Sequence, residues 1–472
     1  MIRARRTLVA SVLALACAGL LVHVTGVSAK DPKKSKKSKQ LDPLLQKADV
    51  IAQRVAKIRG LPQKRPIQRG VMTKEQIRER LVQRIGEEYS AAELAGEELA
   101  LKRMGLLPAD TDYMQLVIEV LTDQIAGFYD PAERRLYIAG WSTSGVDTMD
   151  EMLMAHEIDH ALQDQHFDLR TFMKPGKKNS DEAVARQSLV EGDGTALMIE
   201  YVMRDLKVSP WDDDQVVKMM ESQAQASMGD MLDNAPLVLR KGLMFPYVRG
   251  LSFVASYRRN HPWSRIDEIF RKPPLSTEHI LHPVKYENYE KPHQVTARTL
   301  QSLRGYQEVF SNINGELGFD ILLRQHVADG EKDKAVGAKI ELAAAGWGGD
   351  RVAIYTPPRH DGKVAGTIGI SYSVWDQAAD AIEFFDMISD AMPSLSQGQK
   401  VPGNVPGKAP EKERADPTRS PGAHYLEYAD ASQHRFIAQR QGDVVVLVLG
   451  APADKARPIL SEVWKRWKIR RR

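Results

Sequence analysis

Residues 154–160 read Met-Ala-His-Glu-Ile-Asp-His, and the organisation of the chain can be worked out from this stretch. On a helix, His156 and His160 lie one turn apart on the same face, where two imidazoles can bind one metal ion. Glu157 lies beside them, in position to take a proton from a water that the metal activates. The stretch therefore predicts a hydrolytic metal centre. The alternative is a surface or core helix that merely carries two histidines.

The flanking residues predict how far this histidine helix extends. Thr148 and Glu151 have the spacing of a capping box, so the helix should begin at Thr148 and run to about Gln165. Asp164 lies one further turn along the histidine face. It is in position to orient a ligand histidine through the second ring nitrogen.

The third metal ligand is predicted on the next helix, over about 180–206. Gly192 and Gly194 lie inside that helix, where each costs about 1 kcal/mol relative to alanine, so we expect close packing against the histidine helix. Glu191 follows the histidine motif after enough residues for a loop and an antiparallel return, and its apolar neighbours imply partial burial. A metal ion removes the cost of an unpaired buried carboxylate, which makes Glu191 the candidate ligand.

Alternatives for this second helix stay open. Glu191 is an ordinary helix glutamate if it pairs with Arg186 or Arg204. Asp193 is a candidate for orienting a ligand residue without touching the metal, and a weaker alternative ligand.

Several stretches together carry a resemblance to known proteins. The His-Glu-x-x-His motif followed by a glutamate on the next helix resembles the gluzincin metallopeptidases. The wider pattern resembles a family of exported bacterial proteins that are assigned to the zincins by their motif, over about Val55 to Tyr355. It comprises HEIDHALQDQHFDL at 156–169, GFYD at 127–130, EGD at 191–193, STEHILHP at 276–283 and WGGDR at 347–351.

This resemblance implies a zinc-binding core. His156, His160 and Glu191 would be the Zn²⁺ ligands and Glu157 the catalytic base of a peptidase. A β-hairpin predicted at 127–138 would provide an edge strand above the cleft, able to hold an extended peptide by β-addition.

Peptide hydrolysis also needs a donor for the oxyanion. His282, Tyr286 and Tyr247 are candidates, although for any single one of them simple packing is the alternative. His166 lies off the ligand face, and His326 lies on a separate predicted helix, so both are expected to be structural.

Composition and charge exclude several classes of protein. The chain has 472 residues, of which 43% are hydrophobic and 27% charged, which excludes a disordered chain, a coiled-coil rod, a collagen-like repeat and a polytopic membrane protein. Residues 1–39 and 465–472 together carry a net charge of +14, which leaves −10 for residues 40–464. We expect short basic ends of this kind to be solvated tails, so a nucleic-acid partner is not expected. The resemblance implies a peptide or protein substrate instead.

The N-terminus predicts export. Basic residues precede an apolar stretch at 8–22, and Val27-Ser28-Ala29 has the small residues of a signal-peptidase site. Cleavage after residue 29 would remove the only cysteine, Cys17, and leave no stable membrane span, with the mature protein in the periplasm or outside the cell. The alternatives are a lipoprotein modified at Cys17 and an uncleaved membrane anchor.

The predicted fold class is α+β. A basic flexible spacer at 30–40 leads into a mainly helical, zincin-like domain at 41–345, with helical patterns over 41–104 and 113–125. A small α+β domain follows at 346–472, interrupted by a disordered loop rich in Pro, Gly and Lys at 394–422. Its predicted strands are 351–355, 367–374, 424–428, 435–439 and 443–449, and its predicted helices are 376–392 and 453–467.

Two hypotheses follow. The first is an exported zinc-dependent peptidase. The second is a non-catalytic binding or scaffold protein on a degenerate zincin core. Retention of Glu157 favours the first, because a purely structural metal site needs the ligands but not the base.

Overall fold

The computed structural model describes residues 38–125, 127–140, 147–175, 179–205, 209–213, 234–401 and 424–472, and residues 215, 217–219, 222 and 232 between them. The predicted signal peptide lies outside these residues, as do residues 30–37 of the predicted spacer and 402–422 of the predicted loop. Helix α1 spans Ser38–Arg59, so the flexible spacer predicted to reach residue 40 ends earlier. Extending an existing helix is far less costly than nucleating one, which allows α1 to include polar residues ahead of its apolar pattern. None of the described helices combines the length and the apolar character that crossing a bilayer requires.

The predicted α+β class is confirmed, and the first part of the chain is mainly helical. After α1 come α2 (Lys74–Glu88), α3 (Ala91–Arg103) and α4 (Tyr113–Gln124). The helical pattern predicted over 41–104 is therefore broken by turns, and also by a short strand, β1 (Gln68–Met72). The exposure of β1 does not alternate from residue to residue, so hydrophobic periodicity cannot reveal it.

A three-stranded sheet lies against the histidine helix. Strands β2 (Gly127–Asp130) and β3 (Arg135–Ala139) form the predicted antiparallel hairpin. Strand β1 pairs with β3 in parallel, so the order β1-β3-β2 leaves β2 at an edge. This edge strand packs on the histidine helix.

Packed helices form the centre of the molecule. The histidine helix, α5, spans Asp147–Phe167, close to its predicted bounds, although the side chain of Thr148 lies outside the described residues. Helix α7 (Ser180–Met203) packs against α5 on one side and along α8 (Leu237–Arg258) on the other. Shorter helices complete this region, namely α6 (Leu169–Met173), α9 (Ser264–Arg271), α10 (Thr277–Leu281) and α11 (Pro283–Glu287).

A seven-stranded antiparallel sheet dominates the C-terminal part, in the order β5-β6-β7-β11-β10-β9-β8. Its strands are β5 (Gln307–Asn312), β6 (Trp347–Thr356), β7 (Ile368–Trp375), β8 (Gln399–Lys400), β9 (Tyr425–Ala429), β10 (Arg435–Gln441) and β11 (Val444–Ala451). Helix α14 (Ala378–Ser396) covers one face and α15 (Ala453–Arg466) the other. In β11, Val445 and Leu447 join the core on the α14 side, whereas Val446 and Val448 join the core under α15. Burial on both faces explains the unbroken apolar run of this strand.

The sheet begins before the domain boundary predicted at 345/346. Strand β5 pairs with β6 from the N-terminal side of that boundary. Helices α12 (Gly315–His326) and α13 (Lys334–Ala345) pack against α14. Hydrophobic patterning does not reveal this arrangement, because β5 is separated from its partner by two helices and is itself only partly buried.

Two predictions about the C-terminal part are wrong. Residues 394–401 do not belong to a disordered loop, because α14 continues through Pro393 to Ser396 and β8 then pairs with β9. The basic C-terminus is not a solvated tail, because β12 (Lys468–Arg470) pairs with β4 (Gln294–Thr296). Arg471 also forms an ion pair with Asp443. Composition cannot reveal these contacts, because the partners lie far away in the sequence.

Candidate metal centre

Helices α5 and α7 bring three potential metal ligands together. His156, His160 and Glu191 each offer one ligand atom, and these atoms all lie within 4.8 Å of one another. The two histidine Nε2 atoms are 2.9 Å apart. Glu191 Oε2 lies 3.2 Å from the Nε2 atom of His156 and 3.4 Å from that of His160. The spacing of four residues within one helix turns both rings towards the carboxylate on the neighbouring helix.

These residues fit a zinc ion. The exposed fraction is 1% for His156, 3% for His160 and 0% for Glu191. Glu191 Oε1 has no hydrogen-bond partner among the described residues, although a buried carboxylate oxygen is costly to leave unpaired. Two imidazole nitrogens and a carboxylate are a common protein ligand set for a catalytic zinc and leave the fourth position to water or substrate.

Protons compete with a metal at this site. Burial lowers the pKa of His156, and the neighbouring His160 lowers it further. Burial alone would also lower the pKa of His160, but the carboxylates of Glu191 and Glu157 raise it to about 10. The pKa of Glu191 is lowered despite its burial, because His160 and His156 stabilise its anion. Metal binding must therefore displace a proton from the histidine pair.

Two glycines of α7 permit the close packing of this centre. A Cβ atom on Gly194 would lie 2.8 Å from Cε1 and 2.9 Å from Nδ1 of His156. This agrees with the predicted packing of the glycines against the histidine helix. Gly192 differs, because its Cβ would meet the backbone of Gly250 on α8 at 2.2 Å. Gly194 therefore makes room for the His156 ring and Gly192 for the neighbouring helix α8.

Gln163, and not Asp164, orients the candidate ligand His160. Gln163 Oε1 lies 2.9 Å from His160 Nδ1, and because an amide oxygen can only accept, the ring nitrogen must donate. This hydrogen bond leaves the lone pair on Nε2 of His160 facing the other ligands. The amide nitrogen of Gln163 donates to Asp159 and Asp193, which fixes the orientation of the amide. Asp164 instead accepts from the Tyr129 hydroxyl at 2.9 Å.

A buried ion pair between Arg59 and Asp193 holds Gln163 in place through a hydrogen bond. Asp193 receives two hydrogen bonds from Arg59, at 2.7 and 3.0 Å, and both side chains are fully buried. Arg59 is the last residue of α1; its guanidinium also donates to Asp267 and lies 4.6 Å from the ring centre of Trp263. Asp193 thus has the supporting role considered for it. Helix α1 is tied to the candidate metal centre through this pair.

The candidate base contacts the edge strand. Glu157 is 2% exposed, and its Oε2 accepts a hydrogen bond of 2.7 Å from the backbone N–H of Tyr129 in β2. Its Oε1 has no hydrogen-bond partner among the described residues. Burial raises the pKa of Glu157 to about 8, although His160 opposes the shift. The side of β2 that pairs with no other strand among the described residues therefore faces the carboxylate.

The oxyanion candidates lie in different places. Tyr247 stacks beside His156, with ring centres 6.4 Å apart. His282 Nε2 lies 2.8 Å from Glu316, and the Tyr286 hydroxyl donates to a backbone carbonyl of the loop after α9. Of the three, only Tyr247 adjoins a metal-ligand ring in the described contacts.

The two histidines expected to be structural, His166 and His326, both bond to groups outside the candidate centre. His166 is bound to the Pro62 carbonyl at 2.8 Å. His326 is buried between the Met104 carbonyl and the Ser394 hydroxyl. Neither belongs to the cluster of potential metal ligands.

Two important residues, Gln163 and Arg59, were not among the sequence candidates. Gln163 could have been found, because it lies three residues after His160 on the same helix and has a side chain long enough to reach back. No local signal marks Arg59, which lies about a hundred residues upstream of the motif and at the end of an ordinary amphipathic helix.

Comparison with known proteins yields one match. A family described as a domain of unknown function (DUF8575) matches residues 301–460, which span β5 to most of α15. This stretch covers the C-terminal sheet and lies wholly after the metal centre. No curated protein and no solved structure matches the chain.

Proposed function

We propose that the chain is an exported zinc-dependent peptidase, with His156, His160 and Glu191 as zinc ligands and Glu157 as the general base. The observation that carries the proposal is the convergence of the three buried ligand atoms within 4.8 Å, beside a carboxylate that has an unpartnered oxygen among the described residues. A purely structural site would need the ligands but would give Glu157 no task.

The chain's own residues then have distinct roles. Zinc, when bound, supplies Lewis acidity and lowers the pKa of water towards about 7. Glu157 Oε1 takes the proton from the attacking water and later gives it to the leaving amine. The backbone N–H of Tyr129 holds the other oxygen of that carboxylate in place. Gln163 keeps His160 in the tautomer that can bind the metal.

The substrate proposed is an extended peptide beside β2. This strand is at the edge of its sheet, and it lies beside the centre because its Tyr129 N–H donates to Glu157. A substrate strand would pair with other main-chain groups of β2. Such an edge can add a further strand through main-chain hydrogen bonds. The proposal of export rests on the N-terminal stretch with its cleavage site after residue 29.

Replacing Glu157 with glutamine tests this function. The variant should keep about one zinc per chain but lose at least about 100-fold in peptide hydrolysis, because glutamine has nearly the same shape and cannot take the proton. The matched control is Glu383→Gln, on the exposed surface of α14, which should leave both quantities unchanged. Metal content is measured by elemental analysis and cleavage by mass spectrometry of a peptide library.

Other outcomes would decide against the proposal. Full turnover by the Glu157→Gln variant would remove Glu157 from the mechanism. Zinc-loaded wild-type protein that cleaves none of the peptides would favour the non-catalytic binding protein.

A further inference from the structure

A pocket opens beside the proposed metal centre. It has a volume of about 100 Å³ and lies between the edge strand and helices α2, α5, α6 and α7. His160 and Tyr129 line it on the side of the centre, so its contents lie next to a proposed zinc ligand. Leu169, Met173 and Val190 provide apolar walls.

A buried amide side chain, that of Gln187, lines this pocket. Gln187 is 1% exposed, and neither Nε2 nor Oε1 of its amide has a hydrogen-bond partner among the described residues. It lies one helical turn before Glu191 on α7, so both side chains project towards the same side of the helix. A buried amide that lacks both hydrogen bonds is unfavourable, and a ligand that supplies them recovers this free energy.

The chemistry of Gln187 selects among substrate side chains. A primary amide offers a donor and an acceptor side by side, and another primary amide complements both. A carboxylate would satisfy Nε2 but would face the amide oxygen with a second acceptor. An apolar side chain would leave both atoms unpaired. The apolar walls, in turn, suit a methylene stem.

The cations near the pocket do not shift this preference from glutamine to a negatively charged side chain. Arg170 and Lys174 line the pocket but are exposed, so water and salt screen their attraction for an anion. Arg84 also lines it, but it forms an ion pair with Asp130.

We propose that this pocket is a specificity site that binds a glutamine side chain of the substrate, in a residue flanking the cleaved bond, through paired hydrogen bonds with Gln187. The inference rests on the proposed peptidase function and adds the substrate class.

The test compares three peptides that differ at one residue beside the cleaved bond, which is glutamine, glutamate or methionine. The wild-type enzyme should cleave the glutamine peptide with a kcat/KM at least about tenfold above that of the other two. In Gln187→Leu and Gln187→Met the preference should pass to methionine. The matched control, Gln53→Leu on the exposed face of α1, should keep the wild-type order.

Binding without turnover separates this inference from the proposed function. Calorimetry with zinc-loaded Glu157→Gln protein should show at least about tenfold tighter binding of the glutamine peptide than of the methionine peptide, and Gln187→Leu should abolish that difference. If no peptide is cleaved but this binding preference is found, the peptidase fails and the pocket stands.

Two results would overturn the pocket alone. One is cleavage whose preference is the same in wild type and in both Gln187 variants. The other is a preference for glutamate, which would show that the exposed cations decide.

Discussion

Replacing Gly194 with alanine would place a methyl group against the ring of His156. The new Cβ would lie 2.8 Å from Cε1, whereas ordinary contacts of this kind begin at 3.4 Å, so the two groups must separate by about 0.6 Å. The His156 ring is buried, and it packs against His160 at 4.5 Å and Tyr247 at 6.4 Å between ring centres. It therefore cannot move aside without leaving its position in the ligand set.

The expected loss of zinc affinity follows from how little the ligand distances in zinc sites vary. Ligand distances vary by only about 0.2 Å, so a displacement of about 0.6 Å exceeds what the site can absorb. We expect Gly194→Ala to bind zinc about 10–100-fold more weakly, which corresponds to about 1.4–2.8 kcal/mol. A competition titration with a chromophoric chelator measures this affinity.

Folding is measured separately in excess chelator. Alanine gains about 1 kcal/mol of helix propensity over glycine, whereas overpacking costs about 1–3 kcal/mol, so the metal-free variant should remain folded. Gly86→Ala, in the open on α2 with nothing within 4 Å of its Cβ, is the matched control. It should keep wild-type zinc affinity and gain about 0.5–1 kcal/mol in its free energy of unfolding. Wild-type zinc affinity in Gly194→Ala would refute the assignment of His156 as a ligand held in place by this glycine.

Three further predictions concern the surroundings of the centre. Gln163→Leu removes the acceptor that fixes the His160 tautomer, so zinc affinity should fall about 10–100-fold in the same titration. Arg59→Met leaves the buried Asp193 carboxylate without its cation and should lower the free energy of unfolding by about 3–5 kcal/mol in urea. Burial raises the pKa of Glu278 to about 7 from an ordinary value of 4.5. Between these pH values the native state therefore holds a proton that the unfolded chain has released. The free energy of unfolding falls as pH rises through this window. Glu278→Gln carries no such proton, so urea titrations should show its free energy of unfolding rising relative to wild type by up to about 3 kcal/mol between pH 4.5 and pH 8.

Each of these predictions has a clear contrary result. Unchanged zinc affinity in Gln163→Leu would mean that the tautomer is set elsewhere. Arg69→Met breaks only the exposed pair with Asp49 and should lower the free energy of unfolding by at most about 1 kcal/mol. An equally small loss in Arg59→Met would show that the buried pair does not stabilise the fold. A wild-type pH profile in Glu278→Gln would show that the native Glu278 is not protonated over this range.

The buried pair also gives the N-terminal helix a role in the centre. Helix α1 reaches Asp193 through Arg59, and Asp193 holds Gln163, which holds His160. Loss of α1 would therefore affect a proposed zinc ligand through three successive contacts. We expect any variant that detaches α1 to weaken zinc binding as well as folding.

The sequence by itself determined those features that depend on neighbouring residues. His156 and His160 share a helix face because four residues make about one turn, and Glu191 could be picked out because two costly glycines stand beside it in the next helix. The hairpin at 127–138 and five of the seven strands of the C-terminal sheet could be predicted, because short β-prone runs mark them. The overall α+β class followed from the same runs and the helical patterns.

Only the tertiary structure decided which distant groups meet. Asp164 has the right spacing to support a histidine, yet its short side chain reaches Tyr129 of the edge strand, while Gln163 takes the supporting role. Arg59 reaches Asp193 across a sequence separation of 134 residues, and β5 joins a sheet across two intervening helices. The physical reason is that local spacing fixes which face of an element a side chain occupies, whereas its partner depends on how buried faces pack together.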